Sequence, residues 1–366
     1  MYIVPKQVFE GGFMKKLIGM SLLVVLAAGM IFANGSADKS EAASGGVKQK
    51  KHVSIYTCNV EEEAIAYFEA FKKETGIAVD YVRLSAGECI TRMEAEKANP
   101  QVSVMLGGSV DTIVSAYEKG LIEKYVSPKM SEVLDQYKDN MDGIYTPYSL
   151  IVTCFASNKK LLKKLGIPAP TSWEELLQPK LKGNVCMAHP ATSGAAYTAF
   201  SSMIQCFQEQ AGFDYLKKLD SSIVQYTKAG AAPIRMAGLE ETTVAVCYDL
   251  DAHTVINDGY DLEITYPKEG TGYEISCVEL IKGGKPEEQE AAKAFIDWML
   301  SKSAQKMCTD KFYRYPIIKG IQTNPQMVPF KSLKLLDYDF VWSGKNKVRL
   351  LERFENEVRS SVNVLK

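Results

Sequence analysis

The segment from 171 to 200 constrains the fold of this chain more than any other. It reads TSWEELLQPKLKGNVCMAHPATSGAAYTAF: a short helix, a turn, a short apolar strand and a loop that opens a helix of small residues. Thr192, Ser193 and Gly194 therefore stand where a helix begins after a strand. Unpaired N–H groups and the positive end of the helix dipole favour an anion at such a point. A plain helix cap by Thr192 or Ser193 is the alternative.

Strands and helices alternate from residue 51 onward. The first half is predicted to contain strand 52–57, helix 60–75 capped by Asn59, strand 77–84, helix 87–98, strand 101–106 and helix 111–119. The second half is predicted to contain strand 149–156, helix 159–165, the segment above, a helix that ends near Leu219, strands 223–227, 243–249, 262–266 and 274–281, and a helix from Pro286. Crossovers of this length predict an α/β fold with parallel sheets that helices cover on both faces.

Candidate binding residues follow from the strand ends, because ligands of open α/β sheets bind beyond the carboxyl ends of strands. Asp249 and Asp251 have the spacing of a strand, which would place both side chains on one face. A solvated strand end or a cap on the next helix is the alternative for them. This rule selects four loops, and their candidate residues are Thr57 and Asn59; Gly107, Gly108 and Ser109; Thr192, Ser193 and Gly194; and Asp249 and Asp251. Gly107 is also expected to break the strand that precedes it.

Several segments resemble one family of proteins. They are FKKETGIAVDYVRLSAGE, EAEKANPQVSVMLGG and EKGLIEKY in the first half, and YPKEGTGYEI, IKGG and AAKAFIDWMLS later. They look like periplasmic substrate-binding proteins of ABC importers, in the branch of ferric-iron, thiamine, phosphonate and hexose-phosphate binders, and the resemblance covers about 53–316. It implies a type II periplasmic-binding-protein fold with two lobes, each a mostly parallel sheet with helices on both faces, and a ligand cleft at the hinge. No cofactor is expected.

The resemblance also bears on the ligand. Ferric-iron members hold the metal with two adjacent tyrosines, and this chain has Asp251 and Ala252 at those positions. Iron binding is therefore the alternative rather than the first expectation. Hexose-phosphate members pair an acidic residue in this loop with a glutamate in a Gly-Thr-Gly-Tyr-Glu turn, and Asp251 and Glu274 match that pair. Charged carboxylates accept strong hydrogen bonds from sugar hydroxyls.

One departure from the hexose-phosphate pattern changes the expected ligand. Those members carry a histidine directly before the aspartate, whereas this chain has Leu250. Leu250 removes a polar contact and adds an apolar wall, which favours a ligand with an apolar or aromatic part, such as thiamine phosphate, or a cationic organophosphonate. Tyr273 could stack on a ring of such a ligand, and a position in the core is the alternative.

The ends of the chain predict export. Residues 1–33 read as a signal peptide with an apolar stretch over 17–32 and a start at Met14, and 34–51 as a disordered linker. No cysteine follows the apolar stretch, so periplasmic location without a lipid anchor is expected. The domain boundaries are expected at 52–148 plus about 262–308 for lobe 1, and 149–261 plus about 309–366 for lobe 2.

Charge, cysteines and motifs limit the other function classes. The net charge of −1 and the lack of a basic stripe argue against a nucleic-acid partner. The eight cysteines show no zinc-site spacing, and several lie in apolar runs, so mostly reduced, buried thiols are expected. GxSxG and HExxH motifs are absent from the sequence. An enzyme is not expected, and a carboxylate-dependent hydrolase that uses Asp249 and Asp251 is a remote alternative.

The sequence therefore predicts a solute-binding protein. A small phosphorylated or anionic organic solute (a sugar phosphate, thiamine phosphate or organophosphonate) is expected to be captured by hinge closure and delivered by a monomer to an ABC permease in the inner membrane. Its phosphate is expected on Thr192, Ser193 and Gly194, and its hydroxyls or a cation on Asp251 and Glu274.

Overall fold

A computed structural model describes residues 51–138 and 141–359. The predicted signal peptide and nearly all of the predicted linker lie outside these residues. The strands are β1 His52–Thr57, β2 Ala78–Arg83, β3 Val104–Ser109, β4 Ile122–Glu123, β5 Thr146–Asn158, β6 Val185–Ala188, β7 Ile223–Thr227, β8 Val244–Tyr248, β9 Leu262–Thr265, β10 Tyr273–Ile281 and β11 Tyr315–Pro316.

Helices cover these strands. The α-helices are α1 Glu61–Thr75, α2 Ala86–Ala95, α3 Val110–Glu118, α4 Lys159–Leu165, α5 Gly194–Phe207, α6 Glu209–Asp220, α7 Ala232–Gly238, α8 Asp249–Asn257, α9 Gln289–Met299, α10 Lys302–Phe312 and α11 Phe340–Arg353. Short 3₁₀ turns occupy Pro128–Glu132, Asp135–Tyr137, Glu174–Leu177, Pro179–Leu181, Pro286–Glu288 and Phe330–Ser332, and a π-helical turn follows α11 at Phe354–Arg359. Within the described part of the chain, no helix has the length and apolar character needed to cross a membrane.

The first lobe is a sheet between two helical layers. Successive side chains of β1 point to opposite faces of this sheet: Val53 and Ile55 belong to one core and Tyr56 to the other. The core on the Val53 side is filled by aromatic residues of α1 and α9, including Phe71 and Phe295, whose rings meet edge to face. The opposite core is filled by side chains of α2 and α3. Both faces are therefore buried.

The second lobe repeats this arrangement. Side chains of β6 and β8 that face α5 and α6 form one core around Trp173. The opposite faces of β5 and β8 pack on α7 and α8. The predicted α/β architecture of two lobes with helices on both faces is thus confirmed.

One long strand joins the lobes. The strands form a continuous ladder in the order β2-β1-β3-β10-β5-β8-β6-β7. The first half of β5 pairs with β10 over Thr146–Val152, and its second half pairs with β8 over Thr153–Ser157. Each sheet is consequently mixed. Pairing is parallel in β2-β1-β3 and in β7-β6-β8, as predicted, but antiparallel at β5 and β10, because these strands run between the lobes in opposite directions.

Two strands lie across the expected domain boundaries. β9 pairs with the second half of β5, so 262–265 belongs to the second sheet. β11 pairs with Ser149 and Leu150 in the first half of β5, so 315–316 belongs to the first sheet. The exact lobe boundaries stay a prediction, since β5 is part of both sheets.

Two local predictions in the first lobe are wrong. Gly107 and Gly108 do not break the third strand, since β3 continues to Ser109 and pairs there with Ser276. The two glycines have φ angles of 93° and 98°, a region open to glycine, and remain in the strand. Asn59 does not cap α1, whose N-cap is Val60; its side-chain amide donates instead to the Tyr148 hydroxyl at 3.0 Å.

The C-terminal helix α11 links elements of the two lobes on the side of α3. A Cβ on Gly344 would lie 2.6 Å from the backbone oxygen of Asp111 in α3, so only glycine permits this close approach. On its other side, α11 receives a hydrogen bond from the Tyr197 hydroxyl of α5 to the carbonyl of Ser343 at 2.7 Å. The helix therefore contacts both lobes.

Candidate functional site

A cavity of about 290 Å³ lies between the lobes where strands of both sheets end. The first lobe contributes Cys58, Asn59, Arg83, Ser85, Glu88 and Gly108. The second lobe contributes Ser193, Gly194, Ala195, Lys228, Gly230 and Asp251. The central strands and the segment before β11 contribute Ile151, Tyr248, Glu274 and Arg314, and Leu250 adds an apolar side chain.

The amino end of α5 opens onto this cavity. The Ser193 hydroxyl caps the helix by accepting from the Ala196 N–H at 3.3 Å. The next two N–H groups, of Gly194 and Ala195, have no acceptor within residues 51–138 and 141–359, and both residues line the cavity. Free N–H groups and the helix dipole create positive potential there. A Cβ on Gly230 would lie 2.8 Å from Ser193 Oγ, so Gly230 packs closely against this helix end.

Two carboxylates line the cavity in addition to Glu88. Glu274, at the start of β10, accepts hydrogen bonds from the Tyr248 hydroxyl at 2.5 Å and from Ser276 Oγ at 2.7 Å. Asp251 lies in the first turn of α8. Burial raises the pKa of Asp251 to about 6 and also raises the pKa of Glu274. Burial also limits competition from water, so oxygens of both acids that carry no proton can accept hydrogen bonds from a solute.

The prediction that Asp249 and Asp251 share one face is wrong. The strand ends at Tyr248, and both aspartates belong to α8, where residues two apart do not face each other. Asp249 is fully buried outside the cavity lining, and its Oδ1 accepts from the Val152 N–H at 3.3 Å. The carboxylate pair required by the hydrolase alternative is therefore not formed by these two residues.

Three basic side chains reach the cavity, and the sequence analysis found none of them. Arg83 ends β2 and donates from Nε to the carbonyl of Asn59 at 3.1 Å. Lys228 follows β7 on the opposite side of the cleft. Arg83 and Lys228 stand at or just after the ends of parallel strands, so the rule that selected the other loops could have found them. Arg314 carries no comparable sequence signal.

Arg314 forms a buried ion pair beneath the cavity. Its Nε and Nη2 donate to the two oxygens of Glu63 in α1 at 2.6 and 2.9 Å. Its Nη1 donates to Ser276 Oγ at 3.0 Å, and Ser276 in turn donates to Glu274. A chain of hydrogen bonds therefore runs from α1 to the cavity carboxylate and on to Tyr248 of the second lobe.

Six of the twelve predicted site residues line the cavity and six do not. Those in the lining are Asn59, Gly108, Ser193, Gly194, Asp251 and Glu274. Whether they contact a solute stays a prediction. The other six make contacts within the protein. Thr57 Oγ1 accepts from the Asn59 N–H, Gly107 packs against the Asn59 side chain, and the Ser109 hydroxyl donates to Asp111. The Thr192 hydroxyl donates to the Lys228 carbonyl, Asp249 is buried, and Tyr273 packs edge to face on Phe340.

The two walls of the cleft touch on one side. Glu88 Oε1 of α2 lies 2.6 Å from Lys228 Nζ, and this ion pair lowers the pKa of Glu88 to about 2. A Cβ on Gly87 would lie 2.9 Å from the carbonyl oxygen of Ala191. A Cβ on Gly194 would lie 3.5 Å from that of Ala86. The two walls of the cleft are therefore in contact along the start of α2.

Known proteins share this sequence and this fold. The family described as bacterial extracellular solute-binding proteins matches residues 100–343. An uncharacterized protein of Haemophilus influenzae is 33% identical over 326 residues, which cover 87% of this chain and 94% of that protein. A putative 2-aminoethylphosphonate-binding periplasmic protein of Salmonella typhimurium is 28% identical over 260 residues, or 68% of this chain and 72% of that protein.

A solved structure is similar as well. The periplasmic binding protein AfuA of Actinobacillus pleuropneumoniae, determined with exogenous fructose 6-phosphate bound, superposes with a TM-score of 0.81 and 33% identity. The match covers 85% of this chain and 99% of AfuA. This chain belongs to the bacterial extracellular solute-binding proteins, the substrate-binding components of ABC transporters. Members of the family bind small solutes and work with ABC permeases, and AfuA and the Salmonella relative are named as periplasmic proteins.

A first prediction concerns Asp249 and pH. Burial raises its pKa from the ordinary 3.8 to about 7, so the folded state binds the proton more tightly than the unfolded state. Stability from this group is therefore present below about pH 4 and is lost as pH rises through 7, which amounts to about 4 kcal/mol. The unfolding free energy of Asp249→Asn should therefore rise relative to that of wild type as the pH increases from about 4 to 7.

Urea unfolding at several pH values measures this difference. Asp258→Asn is the matched control, because Asp258 is exposed at the end of the same helix. We expect the control to follow the wild-type pH profile. A constant difference between Asp249→Asn and wild type at all pH values would show that the buried carboxyl does not titrate as described.

Proposed function

We propose that this protein is exported to the periplasm, captures a small phosphorylated organic solute as a monomer, and delivers it to an ABC permease. The solute that fits the cleft best is a sugar phosphate. Its phosphate would bind at the amino end of α5, and its hydroxyl groups would donate to Asp251 and Glu274. The observation that carries this proposal concerns Gly194 and Ala195, which line the cavity and whose N–H groups have no acceptor among the described residues.

The charges around the cavity favour a solute with one anionic end. Lys228 and Arg83 lie in the lining together with the start of α5, so two cations and a helix end can neutralise phosphate. Glu88 already pairs with Lys228, which leaves Arg83 as the cation with more unused donors. A guanidinium presents several N–H groups in a plane that matches phosphate oxygens.

The carboxylates favour hydrogen-bond donors at the other end of the solute. Each oxygen of Glu274 already accepts one internal hydrogen bond and keeps a further lone pair for a hydroxyl group. Asp251 adds acceptors from the second lobe. A volume of about 290 Å³ is at the low end for small-molecule sites, which suits a sugar phosphate better than the much smaller aminoethylphosphonate.

The similarity to AfuA supports a sugar phosphate, since that protein was solved with fructose 6-phosphate bound. The relative from Salmonella, named for aminoethylphosphonate, is less similar in sequence. Leu250 in the lining gives the cavity an apolar wall, so a thiamine phosphate is the closest competitor.

The contacts of the tyrosines argue against ferric iron as the solute. Iron in this family is held by tyrosine oxygens, but the Tyr248 hydroxyl is bonded to Glu274. The Tyr313 hydroxyl bonds Asn257 and Gln326, and the Tyr315 hydroxyl donates to the Val328 carbonyl. Binding of iron would require these tyrosines to leave their present partners.

Closure of the cleft gives the capture mechanism. The lobes are joined through β5 and β10, so a change in their relative orientation would be accommodated where these strands cross between the sheets. The contact of Gly87 with Ala191 and the ion pair of Glu88 with Lys228 belong to the closed form. A trapped solute would then leave only after these contacts open.

A second prediction tests the phosphate position. Ser193→Asp should abolish binding of a sugar phosphate, because it places a negative charge beside the phosphate. The variant should still fold, since Asp caps helices as well as Ser does. Ser193→Asn is the matched control, because asparagine has the shape of aspartate without its charge and also caps helices. Its affinity for the sugar phosphate should be within a few-fold of the wild-type affinity.

Calorimetric titration with glucose 6-phosphate and fructose 6-phosphate measures the affinities, with thiamine phosphate, aminoethylphosphonate and ferric citrate for comparison. We expect a loss of more than about 100-fold for Ser193→Asp, or about 2.7 kcal/mol. Equal affinity of the Asp and Asn variants would contradict a phosphate at α5. Binding of ferric citrate alone would contradict the proposed solute class.

A third prediction concerns closure. Gly87→Ala should accelerate release of the bound solute about tenfold, because the added methyl group meets the Ala191 carbonyl only in the closed form. Alanine is a better helix former than glycine, so without this clash the variant would be at least as stable as wild type. Glu94→Gln on the exposed part of α2 is the control.

Stopped-flow measurement of solute dissociation distinguishes the two outcomes. A faster release for Gly87→Ala, with Glu94→Gln unchanged, supports closure at the start of α2. Equal release rates for all three proteins would show that this contact does not hold the cleft shut.

A further inference from the structure

Two cysteines face each other in the second lobe. Cys154 of β5 lies directly opposite Cys247 of β8 in the antiparallel ladder. Their sulfur atoms are 3.9 Å apart, and both side chains are buried against α7 and α8. Cys186 of the neighbouring strand has different partners, since its sulfur contacts Met236 Sδ at 3.5 Å and the Gln225 carbonyl at 3.4 Å.

The backbone at this pair already suits a covalent bond. Directly opposed residues in an antiparallel pair have Cα atoms about 4.5 or 5.5 Å apart. Disulfides span Cα separations of about 4.4–6.8 Å. Rotation of the two side chains is therefore sufficient to bring the sulfur atoms to bonding distance, and the spacing between the two strands need not change.

We infer that Cys154 and Cys247 form a redox modification site, a dithiol that closes to a cross-strand disulfide when the protein folds under oxidising conditions. The S–S bond forms as both S–H bonds break, and two protons and two electrons leave. A small-molecule disulfide is the oxidant: it takes up these electrons and protons, and its own S–S bond breaks to give two thiols. This differs from the sequence expectation of reduced thiols, because the sequence could not show which cysteines are neighbours.

Burial decides when the bond can form. Burial raises the pKa of the Cys154 thiol well above its usual range, so the reactive thiolate is scarce in the folded protein. An oxidant must also reach sulfur atoms that β5, β8 and the helices cover. The bond should therefore form while the chain folds, and should form slowly once folding is complete.

The disulfide would tie the shared strand to the second sheet. It joins β5 to β8 one residue after the position where β5 passes from β10 to β8. The closed loop contains α4, β6, α5, α6, β7 and α7, so the cross-link restricts a large part of the unfolded chain. Neither sulfur lines the cavity, so the bond should raise stability without changing solute affinity.

Oxidative refolding tests this inference. The mature protein, unfolded and reduced, is refolded with oxidised glutathione, its free thiols are alkylated, and its peptides are separated without reduction. We expect a peptide pair linked through Cys154 and Cys247, and little of it when native reduced protein receives the same oxidant. Alkylation of both cysteines after oxidative refolding, or their linkage to other cysteines, would overturn the inference.

Single variants separate the cross-link from packing. Cys154→Ala and Cys247→Ala should lose the oxidant-dependent rise of several degrees in the unfolding temperature. Cys186→Ala, a similar truncation in the same region, should keep it. Loss of the rise in Cys186→Ala as well would contradict the assignment. The peptide map of the wild-type protein decides the question even if one variant fails to fold, and neither result depends on which solute is bound.

Discussion

The architecture depends on β5, a strand of thirteen residues that belongs to both sheets. Every residue of it is buried, so its pairing with β10 in one lobe and β8 in the other is protected from water. A strand shared in this way allows two α/β lobes to move relative to each other while the backbone hydrogen bonds of each sheet stay intact. The cavity lies beside this strand, and Ile151 of β5 lines it.

Buried charge shapes the floor of the cleft. The Arg314–Glu63 pair is bidentate, and removal of one partner from such a pair typically costs about 3–5 kcal/mol. Through Ser276 the pair is connected to Glu274, which the Tyr248 hydroxyl also holds. The carboxylate that would receive a solute hydroxyl is therefore fixed in position before binding, and fixed acceptors lose little freedom on binding.

The order of the strands β1–β3 and β5–β10 could be predicted from the sequence, and six of the twelve predicted site residues lie in the cavity lining. The helices α7, α8, α10 and α11 were not predicted. Ser193, Gly194 and Asp251 follow from strand ends and from the resemblance, because both locate loops. The direction of the Asp249 side chain could not be predicted, because it depends on where β8 ends. The end of β8 at Tyr248 is decided by tertiary packing. Arg314 was missed for a related reason. Its partner Glu63 is 251 residues away in sequence, and no local pattern reports such a contact.

The central claim is that the closed cleft holds a phosphate on the amino end of α5. A crystal structure of the complex with glucose 6-phosphate tests it most directly. The account predicts phosphate oxygens within hydrogen-bond distance of the Gly194 and Ala195 N–H groups, and sugar hydroxyls on Asp251 and Glu274. A phosphate bound elsewhere in the cleft, or a metal ion bound by tyrosine oxygens, would contradict it.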